Sequence, residues 1–118
     1  MNLVERTRGH VIIVDVQGPM VRDEAEPVVL LEALRRAVDR GQVNILLNVA
    51  EVTTVDSLWL GAVLQGYTTT TRRGGTIKLL HVSRRFHDLL VVTKLDRVLE
   101  SFESESAALV SMGEPLAR

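Results

Sequence analysis

Val43-Asn44-Ile45-Leu46-Leu47-Asn48-Val49 is nearly continuous in apolar character. After a turn at Glu51 to Thr54 come Val55-Asp56-Ser57 and then Leu58-Trp59-Leu60-Gly61-Ala62-Val63-Leu64-Gln65-Gly66-Tyr67. The first segment reads as a strand covered on both faces, as in an α/β sheet. The last holds Leu60, Val63, Leu64 and Tyr67 at helical spacing and reads as a helix. Thr68 to Thr71 are poor helix formers, so the final turns must lean on tertiary packing until Gly74-Gly75 ends the helix. A buried strand feeding a helix through a short loop is the repeating unit of a largely parallel sheet.

Upstream, a helix starting near Pro27 and stopping at Gly41 carries Leu30, Leu31, Leu34, Ala37 and Val38 on one face. Glu32, Arg35, Arg36, Asp39 and Arg40 sit mostly on the other. Before it, Leu3 to Thr7 and the β-branched Val11 to Val16 read as two strands pairing around Arg8-Gly9-His10, and Gly18-Pro19 breaks the second of them. Downstream, Thr76 to Val82 is a core strand, and Ser83 is an N-cap for a short helix through Phe86, Leu89 and Leu90. A last short strand, Val98 to Phe102, precedes a helix capped by Ser104 that runs to about Met112, where Gly113 and Pro115 stop it. The order β, β, α, β, α, β, α, β, α predicts a single α/β domain over 1–118. Its ordered core spans about 3–112, with right-handed crossovers, an antiparallel edge from the first hairpin and helices mainly on one face.

Composition narrows the function. The chain has 118 residues, 14 Lys plus Arg against 15 Asp plus Glu, and a formal charge of -1, a poor balance for neutralising nucleic-acid phosphates. Aromatic residues make up only 3%, too few for a base-stacking platform. Cysteine is absent, which removes thiol chemistry and disulfides and makes a reducing cytoplasm the expected compartment. Apolar runs fall far short of the ~20 residues that span a bilayer, and no signal-peptide core is visible at the amino terminus. His10, His81 and His87 lack metal-ligand spacing, and neither a nucleophile elbow nor a P-loop lysine occurs. Asp15, Asp56, Asp88 and Asp96 do not pair as general acid and base. No cofactor is expected. The basic pairs Arg35-Arg36, Arg72-Arg73 and Arg84-Arg85 read as solvated helix ends, with a patch for an anionic partner as the alternative.

Val55-Asp56-Ser57 is more informative. A serine at or next to a helix N-cap exposes its hydroxyl to modification and aims it at unpaired backbone N–H groups. A phosphate, carrying a charge of about -1.5 to -2, suits that position. Capping by Asp56 or Ser57 accounts for the same two residue types.

These features together resemble the STAS domain of the anti-sigma-factor antagonists used in bacterial partner switching. The resemblance covers nearly the whole chain. It rests on the strand Asn44 to Val49, Val55-Asp56-Ser57 followed by Leu60-Gly61, the Gly74-Gly75 turn before Ile77 to His81, and Leu89-Leu90 through Thr93 to Leu95-Asp96 with Val98-Leu99. It implies a STAS-like α/β fold, a four- or five-stranded mixed sheet with about four helices mainly on one face. It implies a non-enzymatic regulator. In the family, the serine matching Ser57 is phosphorylated by a kinase that is also the anti-sigma factor, and a serine phosphatase reverses the step. Unmodified antagonist docks on the kinase, and phosphate separates the two. The partner-facing residues implied are Asp56, Ser57, Leu58 and Trp59, with Met20, Arg22 and Asp23 from the loop after the second strand. Three departures stand out. Leu58 and Trp59 replace a small hydroxyl residue and a glycine, the loop Gly18 to Arg22 lacks a common acidic residue, and Lys94 replaces a usual glycine, a change of turn geometry. Trp59 is thereby either an interface anchor or packing over the neighbouring loop. The alternative role within the family is a non-switching interaction domain of a stress-signalling or transport complex. An exposed strand edge and Trp59 could equally serve a homodimer.

Overall fold

Two runs of apolar residues with no polar alternation, Val11 to Val14 and Ile45 to Leu47, form the centre of the sheet and are buried on both faces. The computed structural model describes residues 2–18, 25–52 and 55–115. Along the chain these form β1 (Asn2–Arg8), β2 (Val11–Gln17), α1 (Ala25–Asp39), β3 (Asn44–Asn48), α2 (Ser57–Arg72), β4 (Thr76–Leu80), α3 (Arg84–Val92), a 3-10 turn (Leu95–Arg97), β5 (Ser101–Phe102) and α4 (Glu105–Ser111). The strands lie in the order β1-β2-β3-β4-β5. The first pair is antiparallel and the others parallel, with Val14 opposite Leu47 and Leu47 opposite Leu79. Gly9, at φ +60°, is the first residue of the two-residue loop between Arg8 and Val11, where a type II′ hairpin turn requires positive φ.

Alternation along the strands builds two cores. Ile12, Val14, Val16, Ile45, Leu47, Ile77 and Leu79 pack with Leu30 and Leu34 of α1, Trp59 and Val63 of α2, and Phe86 and Leu90 of α3. Val11, Ile13, Leu46 and Leu80 face the other way, onto Ala108 and Met112. Among the described residues three helices thus cover one face and α4 part of the other, the expected mixed sheet with helices mainly on one side. The threonine run is helical against its propensity: Thr70 is fully buried, and Thr68, Thr70 and Thr71 satisfy their hydroxyls on the carbonyls of Leu64, Gly66 and Tyr67 at 3.1, 2.7 and 2.9 Å.

The last strand departs from expectation. Val98 to Phe102 was the predicted span, but only Ser101 and Phe102 pair with β4. The N–H groups of Val98 and Leu99 both donate to the Leu95 carbonyl, at 3.0 and 2.8 Å, so the 3-10 turn consumes donors that a longer strand would need. The first helix also begins at Ala25, which places Pro27 inside its first turn rather than at its start.

Helix ends follow one pattern with one exception. Gly41, Gly74 and Gly113 occupy the left-handed position after α1, α2 and α4, at φ +84°, +83° and +93°. Each closes the paired hydrogen bonds of a Schellman motif, as in Gly74 N–H to Thr71 O and Gly75 N–H to Thr70 O. After α3 the same position is Lys94, at φ 62° and ψ 19°, and it donates to Val91 O. A side chain here crowds the following carbonyl. Lys94→Gly is expected to stabilise the fold by about 0.5–1 kcal/mol, read as a higher urea midpoint at unchanged slope.

Candidate functional site

The site is built where β3 ends and α2 begins. Asn48, the last residue of β3, accepts the Ala50 N–H on its side-chain oxygen at 3.1 Å and so turns the chain out of the sheet. Val49 donates its N–H to Leu80 O, and Val52 to Val49 O, with both side chains buried. The loop is therefore pinned at its base.

Asp56 then caps α2. Its backbone is extended, and Oδ1 accepts the Trp59 N–H at 3.0 Å. Ser57 is the first helical residue and is exposed. No acidic residue follows in the first turn, so apart from the cap no helical carboxylate complements the dipole there.

Beside Ser57 an open groove of about 240 Å³ runs between the two helices, lined by Pro27, Val28 and Leu31 of α1 and by Ser57, Leu58, Gly61, Ala62 and Gln65 of α2. Val28 and Leu58 leave 53% and 50% of their surface open to solvent. These two exposed apolar side chains give the groove an apolar mouth.

Of the residues expected to face a partner, Asp56, Ser57 and Leu58 come together here. Trp59 does not join them: it is 0% exposed and lies in the core among α1, α2, α3 and the sheet. The reading of Trp59 as an interface anchor is corrected accordingly. Trp59, Val63, Gly66 and Thr70 form the buried stripe of α2, and the tryptophan lies at its upper end. The stripe expected from the sequence, Leu60, Val63, Leu64 and Tyr67, left the tryptophan out, because it was read one position too far along the helix. Met20, Arg22 and Asp23 lie outside the described residues.

The opposite face of the sheet supports the loop from below. Arg6 on β1 donates Nε and Nη2 to the two carboxylate oxygens of Asp15 on β2, at 2.6 and 3.0 Å, and Nη2 also reaches Glu105 of α4 at 2.9 Å. Asn48 donates Nδ2 to Asp15 Oδ1 at 2.7 Å, which ties the end of β3 into the network. The Arg6 hydrogen bond, aided by that of Asn48 and opposed by burial, holds the Asp15 carboxyl below its ordinary range. A lowered folded-state pKa stabilises the protein above the unfolded value of about 3.9, and the contribution is lost as pH falls through the folded pKa. Asp15→Asn is expected to cost about 1–2 kcal/mol at pH 7. The gap from the unmodified protein should narrow below about pH 4 in denaturant titrations.

Among the described residues no three His, Asp or Glu side chains group as metal ligands, and no helix is long and apolar enough to cross a membrane.

With this geometry in place, comparison with known proteins is decisive for family. A family model described as "Mlab, STAS domain" matches residues 3–101. No curated protein matches the sequence. Among solved structures, an anti-sigma factor antagonist from Mycobacterium paratuberculosis is 16% identical, with a TM-score of 0.81 over 96% of this chain and 94% of that one. The Bacillus cell fate determinant SpoIIAA in its phosphorylated form is 16% identical, with a TM-score of 0.72 over 93% and 98%. The murine anion transporter Slc26a9 is 15% identical, with a TM-score of 0.72 over 91% of this chain but 18% of the transporter. At such identities the structural likeness speaks for the fold, while the family match spans most of the sequence: the chain belongs to the STAS domain family.

Proposed function

We propose that the protein is an anti-sigma-factor antagonist in a phosphorylation-controlled partner switch. It docks on an anti-sigma factor that is also a serine kinase while Ser57 is unmodified, and a serine phosphatase restores it after phosphorylation. The observation that carries this reading is the position of Ser57: exposed, first in α2, and at the mouth of an apolar groove. The helix N-terminus accommodates a phosphate, so modification leaves the domain folded. A charge of about -1.5 to -2 beside Val28 and Leu58 would have to be desolvated on docking, and that penalty ejects the partner. In this reading the protein is a cytoplasmic regulator and not an enzyme. Met20, Arg22 and Asp23 remain proposed contributors to the same surface.

A second reading has its own support. The matching family model carries the Mlab description, and the fold recurs as a fraction of an anion transporter. A non-switching interaction domain of a transport complex would use the same groove with Ser57 unmodified.

Phosphopeptide mass spectrometry on protein isolated from its native cells separates the two. Occupancy at Ser57 that changes with growth condition is expected for the switch. Ser57 unmodified under both stress and growth would overturn it in favour of the second reading.

A further inference from the structure

The groove does not stop at Ser57. Gly61 and Gln65 line both the apolar depression described above and a second one farther along α2, whose walls are Arg35 of α1 and Leu64, Thr68, Thr69 and Arg72 of α2. Both helices follow parallel strands by the same kind of crossover, so they run side by side in the same direction. From Leu58 to Arg72 the trough spans about 21 Å, the length of a four-turn helix.

Two features of this trough are unexplained by the fold. Gly61 lies inside α2 with ordinary φ, where glycine is unfavourable, and a Cβ built there meets nothing within 4 Å. The fold itself gains nothing from its smallness, whereas an incoming backbone could approach there closely. The second feature is charge. Among the described residues Arg73 is paired with Asp39 at 3.3 Å, while Arg35 and Arg72 lie within ion-pair distance of no carboxylate. Arg72 in the last turn complements the dipole of α2, but Arg35 in mid-helix has no such role.

We propose that the α1–α2 trough seats an acidic amphipathic helix of a partner protein. Its apolar stripe fills the space over Leu31, Leu58 and Gly61, and its carboxylates meet Arg35 and Arg72. A helix lying antiparallel to α1 and α2 brings its acidic first turn to the arginines and its carbonyl end toward Ser57, where a phosphate would repel it. The inference rests on the reading of this groove mouth as the partner-facing surface, not on Ser57 being modified.

The test uses the full chain and two synthetic 18-residue helical peptides with the same leucine stripe, one flanked by glutamates and one by lysines. Binding is read by fluorescence anisotropy at low salt, and amide shifts are mapped by NMR. The glutamate peptide is expected to bind at least tenfold tighter than the lysine peptide, with shifts at Val28, Leu31, Gly61, Gln65 and Thr68. The double variant Arg35→Glu/Arg72→Glu should reverse the preference, and Gly61→Leu should weaken the glutamate peptide at least tenfold while circular dichroism shows the fold intact. Equal binding of the two peptides, shifts confined to the β1 edge, no binding, or self-association of the chain through this face would each overturn the proposal. Tight binding of the glutamate peptide that is unchanged in Ser57→Asp upholds the trough and counts only against the switch.

Discussion

Trp59→Ala is expected to lower the unfolding free energy by about 3–5 kcal/mol, because the largest side chain of the core is removed from a position with no solvent exposure. The first turn of α2 would lose its main hold on the sheet, and Ser57 would lose its fixed position with it. Trp59→Phe should cost much less. The indole Nε1 is buried with no hydrogen-bond partner among the described residues, an arrangement that itself costs about 1–3 kcal/mol. Phenylalanine removes that orphan donor and leaves a smaller void, so a net loss of about 1–2 kcal/mol is expected. Trp59 is the only tryptophan, so urea unfolding must be followed by circular dichroism rather than by fluorescence. Partner binding by folded Trp59→Phe should match the unmodified protein. A stable Trp59→Ala that fails only in binding would return the residue to the interface.

The contrast between Ser57 and Trp59 shows where sequence reading stops. Features governed by neighbours along the chain were legible: the caps Ser83 and Ser104 accept the N–H groups of Phe86 and Ala107, and Gly41, Gly74 and Gly113 end their helices. The helix beginning at Val55-Asp56-Ser57 was legible for the same reason, though which of Asp56 and Ser57 caps it was open until the structure assigned the cap to Asp56. Lys94 was visible as a missing glycine, and its left-handed backbone supplies the physical content. Features that need distant partners were not. The network of Arg6, Asp15, Asn48 and Glu105 joins three strands and a helix, and no spacing rule announces it. The shortened last strand likewise depended on where two N–H groups found their acceptor. Arg35 and Arg72 read as solvated helix ends or as part of a patch for an anionic partner, and only the parallel helices put the two on one trough.

Gly75→Ala is the second substitution with a large expected effect, and its cause is backbone rather than side chain. A Cβ at Gly75 would lie 1.9 Å from the carbonyl oxygen of Val43 and 2.4 Å from its Cβ. No rotamer change relieves a clash with a main-chain atom. That same carbonyl accepts the Thr76 N–H at 2.8 Å, and Gly75 itself donates to Thr70 O at 3.0 Å, so moving the residue strains both the end of α2 and the start of β3–β4 pairing. A loss of about 3 kcal/mol is expected. Two other glycines serve as controls in the same denaturant titration. Gly74→Ala meets no atom within 4 Å but holds φ +83°, and should cost about 1 kcal/mol through backbone strain alone. Gly61→Ala has neither clash nor unusual φ and should stabilise α2 by about 0.5–1 kcal/mol. Three alanines on one helix and its exit therefore separate overlap, strain and propensity, and a Gly75→Ala no less stable than Gly74→Ala would show that β3 and β4 do not approach as closely as their pairing here requires.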